Sequence, residues 1–181
     1  MAVTYKSSDR TLGIPDFYVS NDATQQFELG RIASGQDVAT ASPYGDAEFM
    51  YVKFTGSTNI AAGDFVLVNR YAKTGTGSGT GGAPGASKTT FYGIAMAAQT
   101  LATATPTYGW VMIRGVHDAA YVASGGGAYV GGTLGGLATP VGSFTYVQTA
   151  NFLIDGTVLR AAGTGAHDAV VEILYPYCSG R

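Results

Sequence analysis

The sequence predicts an all-β fold, a barrel or sandwich of short strands, and three observations carry the prediction. Where apolar residues are periodic, the period is two, the signature of a strand with one face turned inward. The chain of 181 residues holds 27 glycines, roughly twice the usual ~7%, without a collagen repeat, as expected for many tight turns between short runs. No segment keeps the i, i+3, i+4, i+7 spacing of an amphipathic helix over three clean turns.

Taken in order, residues 1–25 show no periodic apolar pattern and are expected to form an extended N-terminal arm. Within it Ile14, Phe17, Tyr18 and Val19 are costly to leave in water, so these four are the candidate contacts to a partner. Strands are expected from Gln26 onward. Glu48 to Thr55 alternates Met50, Val52 and Phe54 against Phe49, Tyr51 and Lys53. A turn at Ala61-Ala62-Gly63-Asp64 leads into Phe65 to Arg70. Thr89 to Met96 follows, then Gly109 to Val116, with Trp110 and Met112 alternating against Val111 and Ile113. Ala119 to Ala123, Ser143 to Gln148, Thr157 to Arg160 and Ala169 to Tyr175 complete the set. Ile94 to Thr105 is the best helix candidate, being alanine-rich, but Thr100, Thr103 and Thr105 are β-branched and Pro106 closes it. Thr74 to Ser87 is built of Gly, Thr, Ser, Ala and Pro and reads as a long flexible loop. Residues 26–181 are expected to form one β-rich domain, with two small β subdomains meeting near 74–88 as the alternative.

Composition narrows the function. Charged residues make up 12% of the chain, about half the usual ~25%, which suits equally a surface rich in Thr, Ser, Asn and Gly and a surface partly covered by other subunits. The net charge is −2, and no run of Lys or Arg offers the basic footprint that nucleic acids require. No stretch of 18 apolar residues appears, so no membrane helix is expected. The N-terminus lacks an apolar signal-peptide core, so synthesis in the cytoplasm is expected. The lone Cys178 can form no disulfide within the chain.

The residue types that carry chemistry give no strong constellation. Gly77, Gly79 and Gly82 have GxGxxG spacing, but a strand rather than a helix is expected to follow, so no helix N-terminus would face a pyrophosphate. His117-Asp118 and His167-Asp168 each precede an expected strand, where a turn role suits the aspartate. Two histidines make a thin ligand set. No G-x-S-x-G elbow is present. Cys178 lies beside Ser179-Gly180 near the terminus, with no evident activating partner. No catalytic residue, cofactor or metal is therefore expected.

A series of short motifs adds a family resemblance. Leu29-Gly30-Arg31 is followed by Tyr44 to Lys53, then Ile60-Ala61-Ala62-Gly63-Asp64-Phe65-Val66, then Gly93-Ile94-Ala95, then Tyr108 to Gly115, then Gly131-Gly132-Thr133-Leu134. In this order, over residues 29 to 135, the chain resembles the head-decoration, or cement, proteins of tailed bacteriophages. The resemblance implies a structural, non-enzymatic virion protein on the capsid exterior, usually a trimer. It would bind the major capsid protein and stabilise the expanded shell, without contacting nucleic acid or membrane. Three weak contacts made at once would gain ~10²–10⁴ in avidity, and the N-terminal arm could add a strand to a capsid-protein edge. The alternative is a virion carbohydrate- or receptor-binding β protein, using exposed tyrosines and Trp110. A hydrolase would require His117 or His167 in a concave pocket beside a carboxylate.

Overall fold

The computed structural model describes residues 4–7, 16–38, 44–77, 89–101, 105–121, 133–137, 144–146, 152–160, 169–174 and 179–180; side chains are described outside 133–137, 144–146, 152–160, 169 and 179–180. The fold is all-β, and no described residue is helical. Among the described residues twelve strands run in chain order: β1 Tyr5–Ser7, β2 Ile32–Asp37, β3 Asp46–Thr55, β4 Phe65–Asn69, β5 Thr74–Gly77, β6 Thr90–Ala95, β7 Thr107–Ala120, β8 Thr133–Leu137, β9 Phe144–Tyr146, β10 Phe152–Arg160, β11 Ala169–Leu174 and β12 Ser179–Gly180.

Five of them close a barrel in the order β3-β5-β4-β6-β7, because β7 also pairs with β3. All its pairings are antiparallel except β3 with β5, where Lys53, Phe54 and Thr55 lie beside Thr74, Gly75 and Thr76. Closure removes the open edges that would otherwise invite pairing with other chains. β3 and β7 carry the alternation read from the sequence, but over most of β3, β6 and β7 both faces are buried. Met50, Val52 and Phe54 of β3 join Val66, Val68, Phe91 and Val111 in the cluster enclosed by the barrel. Phe49 and Tyr51, from the opposite face of β3, join Trp110 and Met112 of β7 in a second cluster outside it.

That outer cluster explains the remaining architecture. β3 and β7, of 10 and 14 residues, run beyond the barrel. There β2 pairs with β3, and β11 pairs with β7. β1 extends the sheet past β2, while β10, β8 and β9 extend it past β11. Val171 and Ile173 of β11, Ala33 of β2 and Tyr5 of β1 close over the outer aromatic layer.

Several elements differ from expectation, each for a physical reason. Thr74 to Gly77 is a strand, not the start of a loop. Its threonines alternate with glycines that face large barrel residues: a Cβ on Gly75 would stand 3.0 Å from Val66 Cγ1 and 3.2 Å from Phe54. The rest of the Gly-rich stretch, including Gly79 and Gly82, lies outside the described residues. Ile94 and Ala95, by contrast, end β6 as the strand expected over Thr89 to Met96 has it, pairing with Met112 and Val111 of β7, and no described residue of the helix candidate is helical. His117 and Asp118 are not in a turn but inside β7, whose strand continues through Ala119 and Ala120 by pairing with β11. Residues 1–25 were expected to hold no core residue, yet Tyr5 and Phe17 are both buried.

Candidate interaction surface

The N-terminal segment supplies the first part of the surface, and its described residues are packed on their own chain. Tyr5 pairs with Asp37 across β1 and β2, and its buried hydroxyl donates to the Val116 carbonyl at 2.6 Å. Desolvation holds this phenol far above its ordinary pKa, the bond to Val116 offsetting only part of the effect. Phe17 corrects the sequence reading. It is 1% exposed, stacked on Phe49 at 4.0 Å between centroids and set edge-on to Trp110 at 5.4 Å. An aromatic ring beside an irregular chain was read as a contact to a partner, but the outer face of β3 and β7 takes it instead. Ile14 lies outside the described residues.

Tyr18 and Val19 are 39% and 37% exposed, so the chain turns from core to surface immediately after Phe17. The Tyr18 hydroxyl accepts a hydrogen bond from the Tyr5 N–H at 2.9 Å, on the edge strand β1, and so covers an edge donor that would otherwise be open for pairing. Burial also raises the Tyr18 phenol, and the bond from Tyr5 works against that rise. Val38 and Tyr44 lie at the same end of the β1–β2 pair. The Val38 N–H donates to Thr4 O at 3.0 Å, and the Tyr44 N–H to the carboxylate of buried Asp37, also at 3.0 Å. Tyr18, Val38 and Tyr44 thus converge as exposed large apolar groups around one strand end.

The second part of the surface is the solvated face of the outer sheet. Ser34, Glu48, Arg114 and Leu174 form one cross-strand row through β2, β3, β7 and β11. In its middle Arg114 Nη1 meets Glu48 Oε1 at 3.1 Å. A shallow depression of about 360 Å³ opens here, lined by Ser34, Gln36, Asp46, Ala47, Glu48 and Arg114. Ile32 and Leu174 are 47% and 43% exposed at its two sides. This face thus sets exposed apolar residues beside an exposed ion pair.

The residues considered for chemistry fall elsewhere. His117 is buried at 9% exposure, and its Nδ1 accepts from the Ala119 N–H at 3.2 Å, which places the proton of the neutral ring on Nε2. It does not line the depression. Trp110 is 2% exposed among Phe17, Phe27 and Tyr51, so it offers no exposed stacking platform. Among the described residues no group of three or more His, Cys, Asp or Glu side chains is placed to hold a metal ion. Nor, among the described residues, is any helix long and apolar enough to cross a membrane. His167, Asp168 and Cys178 lie outside the described residues.

Compared with protein-family models, curated proteins and solved structures, the chain matches none.

Proposed function

We propose that this chain is a structural virion protein that binds the exterior of a tailed-phage capsid and stabilises the expanded shell by bridging neighbouring major capsid proteins. The observation that carries the reading is where its motifs fall. Tyr44 to Lys53, Ile60 to Val66, Gly93 to Ala95 and Tyr108 to Gly115, the series that resembles decoration proteins, occupy β3, the turn into β4, β6 and β7. They are the parts that build the barrel, so the resemblance is carried by a folding unit rather than scattered surface residues. The exposed groups Tyr18, Val19, Val38 and Tyr44 and the Ile32–Leu174 face supply apolar surface of the kind such a contact uses. A trimer would multiply each weak contact by avidity, and binding only the assembled shell would stabilise it by mass action.

Cosedimentation of the purified protein with expanded heads lacking it tests the reading. Saturable binding that raises the temperature at which the heads rupture is the expected result; absence of binding overturns it. A second reading, attachment to a host-surface glycan or receptor, is favoured by Tyr71, 77% exposed after β4. Loss of host-cell adsorption in Tyr71→Ala, with head binding intact, would support that reading over the first.

A further inference from the structure

The cations scattered along the sequence are gathered by the fold. Six lysines and arginines have described side chains, and Arg31, Lys53, Arg70 and Lys73 of these lie around one side of the barrel. The Lys53 N–H donates to the Lys73 carbonyl at 3.0 Å, and the Gly30 and Tyr51 N–H groups bind the carbonyls of Tyr51 and Arg31 at 2.8 and 2.9 Å. Backbone pairing therefore holds residues 30–31, 51–53 and 73 side by side. Arg31 lies over the Phe27 ring at 5.1 Å and Arg70 over Phe91 at 5.8 Å. Among the described residues, neither the Lys53 nor the Lys73 ammonium has an ion-pair or hydrogen-bond partner. Of the acidic residues that precede Arg31 in the chain, Asp22 is engaged locally, its carboxylate accepting the Thr24 N–H at 2.9 Å.

Lys73 is held in place by more than its neighbours. It closes the β4–β5 hairpin with φ at 56°, a left-handed conformation that Gly or Asn adopts with far less strain. Its side chain lies across Gly30: a Cβ there would stand 2.7 Å from Lys73 Cδ and 3.2 Å from Nζ. Gly30 itself has φ of 83°. A lysine kept where glycine would be easier, with its stem fitted over another glycine, is a locally costly arrangement of the kind found where a side chain is wanted for function.

We propose that Arg31, Lys53 and Lys73 form a docking face for a carboxylate-rich protein surface, which deepens the head-binding reading by naming the chemistry of the partner. Lysine ammoniums and an arginine fork on a rigid barrel favour carboxylates through charge complementarity, which acts mainly on association rate and specificity. Three cations in a chain of net charge −2 are too few and too local to track a nucleic-acid backbone.

The test is fluorescence anisotropy with a labelled ten-residue glutamate peptide, beside a labelled DNA duplex of equal charge, in ~50 mM salt. The wild-type chain is compared with Lys53→Gln/Lys73→Gly, in which glycine retains the left-handed turn. The expected result is saturable peptide binding, weakened at least about fivefold in the double variant and lost as salt is raised, with unchanged circular dichroism. No saturable peptide binding, equal binding by the variant, or tighter binding to DNA overturns the proposal. The same two proteins added to heads separate the two ideas. Peptide binding without head binding sinks the head-binding reading alone; head binding unaffected by the double substitution sinks the docking face alone.

Discussion

Phe17→Ala separates a residue of the core from a residue of a free arm. In the structure the ring is 1% exposed, stacked on Phe49 at 4.0 Å and edge-on to Trp110 at 5.4 Å. Its Cε2 also lies against Gly35, where even a Cβ would stand only 2.8 Å away. Truncation removes the transfer free energy of a buried aromatic and leaves a cavity whose walls, two rings and a strand backbone, have little freedom to collapse. Such changes cost about 3–5 kcal/mol, of which about 0.5–1.5 kcal/mol reflects the aromatic pairing. For a chain of this size 1 kcal/mol moves Tm by about 2–4 °C, so a fall of roughly 6–20 °C is expected. Urea unfolding followed by tryptophan fluorescence is the suitable assay, since Trp110 touches the substituted ring. Phe17→Leu, retaining part of the volume, should fall between the two. A Phe17→Ala protein within about 0.5 kcal/mol of wild type, the usual range for surface changes, would refute the packing argument and return Phe17 to the set of partner contacts.

Other expectations follow from the same geometry. Tyr5→Phe should destabilise by about 1–2 kcal/mol, because it leaves the buried Val116 carbonyl without its phenol donor, and denaturant melts will show it. Tyr5, Tyr18 and Tyr51 all have phenol pKa values raised above the ordinary 10.0, mainly by burial. The unfolded chain therefore ionises first, so stability is full below pH 10 and declines as pH rises above it; Tyr5→Phe should flatten that decline in melts taken at alkaline pH. Gly75→Val should cost about 1–3 kcal/mol by overfilling the barrel against Val66 and Phe54, and an unchanged Tm would contradict the inward orientation of β5. Glu48→Gln should change stability by less than about 1 kcal/mol, and less still in high salt, because its bond to Arg114 is exposed.

The fold class was legible because strands with one or both faces buried keep a period of two, and β3, β4, β6, β7 and β11 stand close to where that period places them. What the pattern hid was the burial of both faces of β3, since Met50 and Phe49 are equally apolar and nothing local says which face meets solvent. Thr74 to Gly77 escaped as a strand because composition dominated the reading. Its strict Thr/Gly alternation is itself a period of two, and the small residue on the inner face is what a narrow barrel filled by Phe54 and Ile60 needs. His117-Asp118 was misplaced because a short turn and a bulged strand share residue types; only the pairing of Val171 with His117 distinguishes them. The surface was least legible. Phe17, Tyr18 and Val19 are adjacent apolar residues, but the first is core and the others are exposed, and that division is made by Phe49 and Trp110, far away in sequence. Arg31, Lys53 and Lys73 meet only through tertiary pairing, so no window along the chain could reveal them.

The length of β3 and β7 has a consequence for how the molecule comes apart. Each strand is shared, one stretch or face serving the barrel and another serving the outer sheet, and the two clusters lie on opposite sides of the same backbone. Opening either layer requires β3 or β7 to leave the other, so the described core has no seam along which one layer can melt while its neighbour stays native. Amide exchange in β3 and β7 should then report the global unfolding free energy rather than a local opening. Force applied to the outer sheet would pass along two continuous strands into a closed ring of hydrogen bonds.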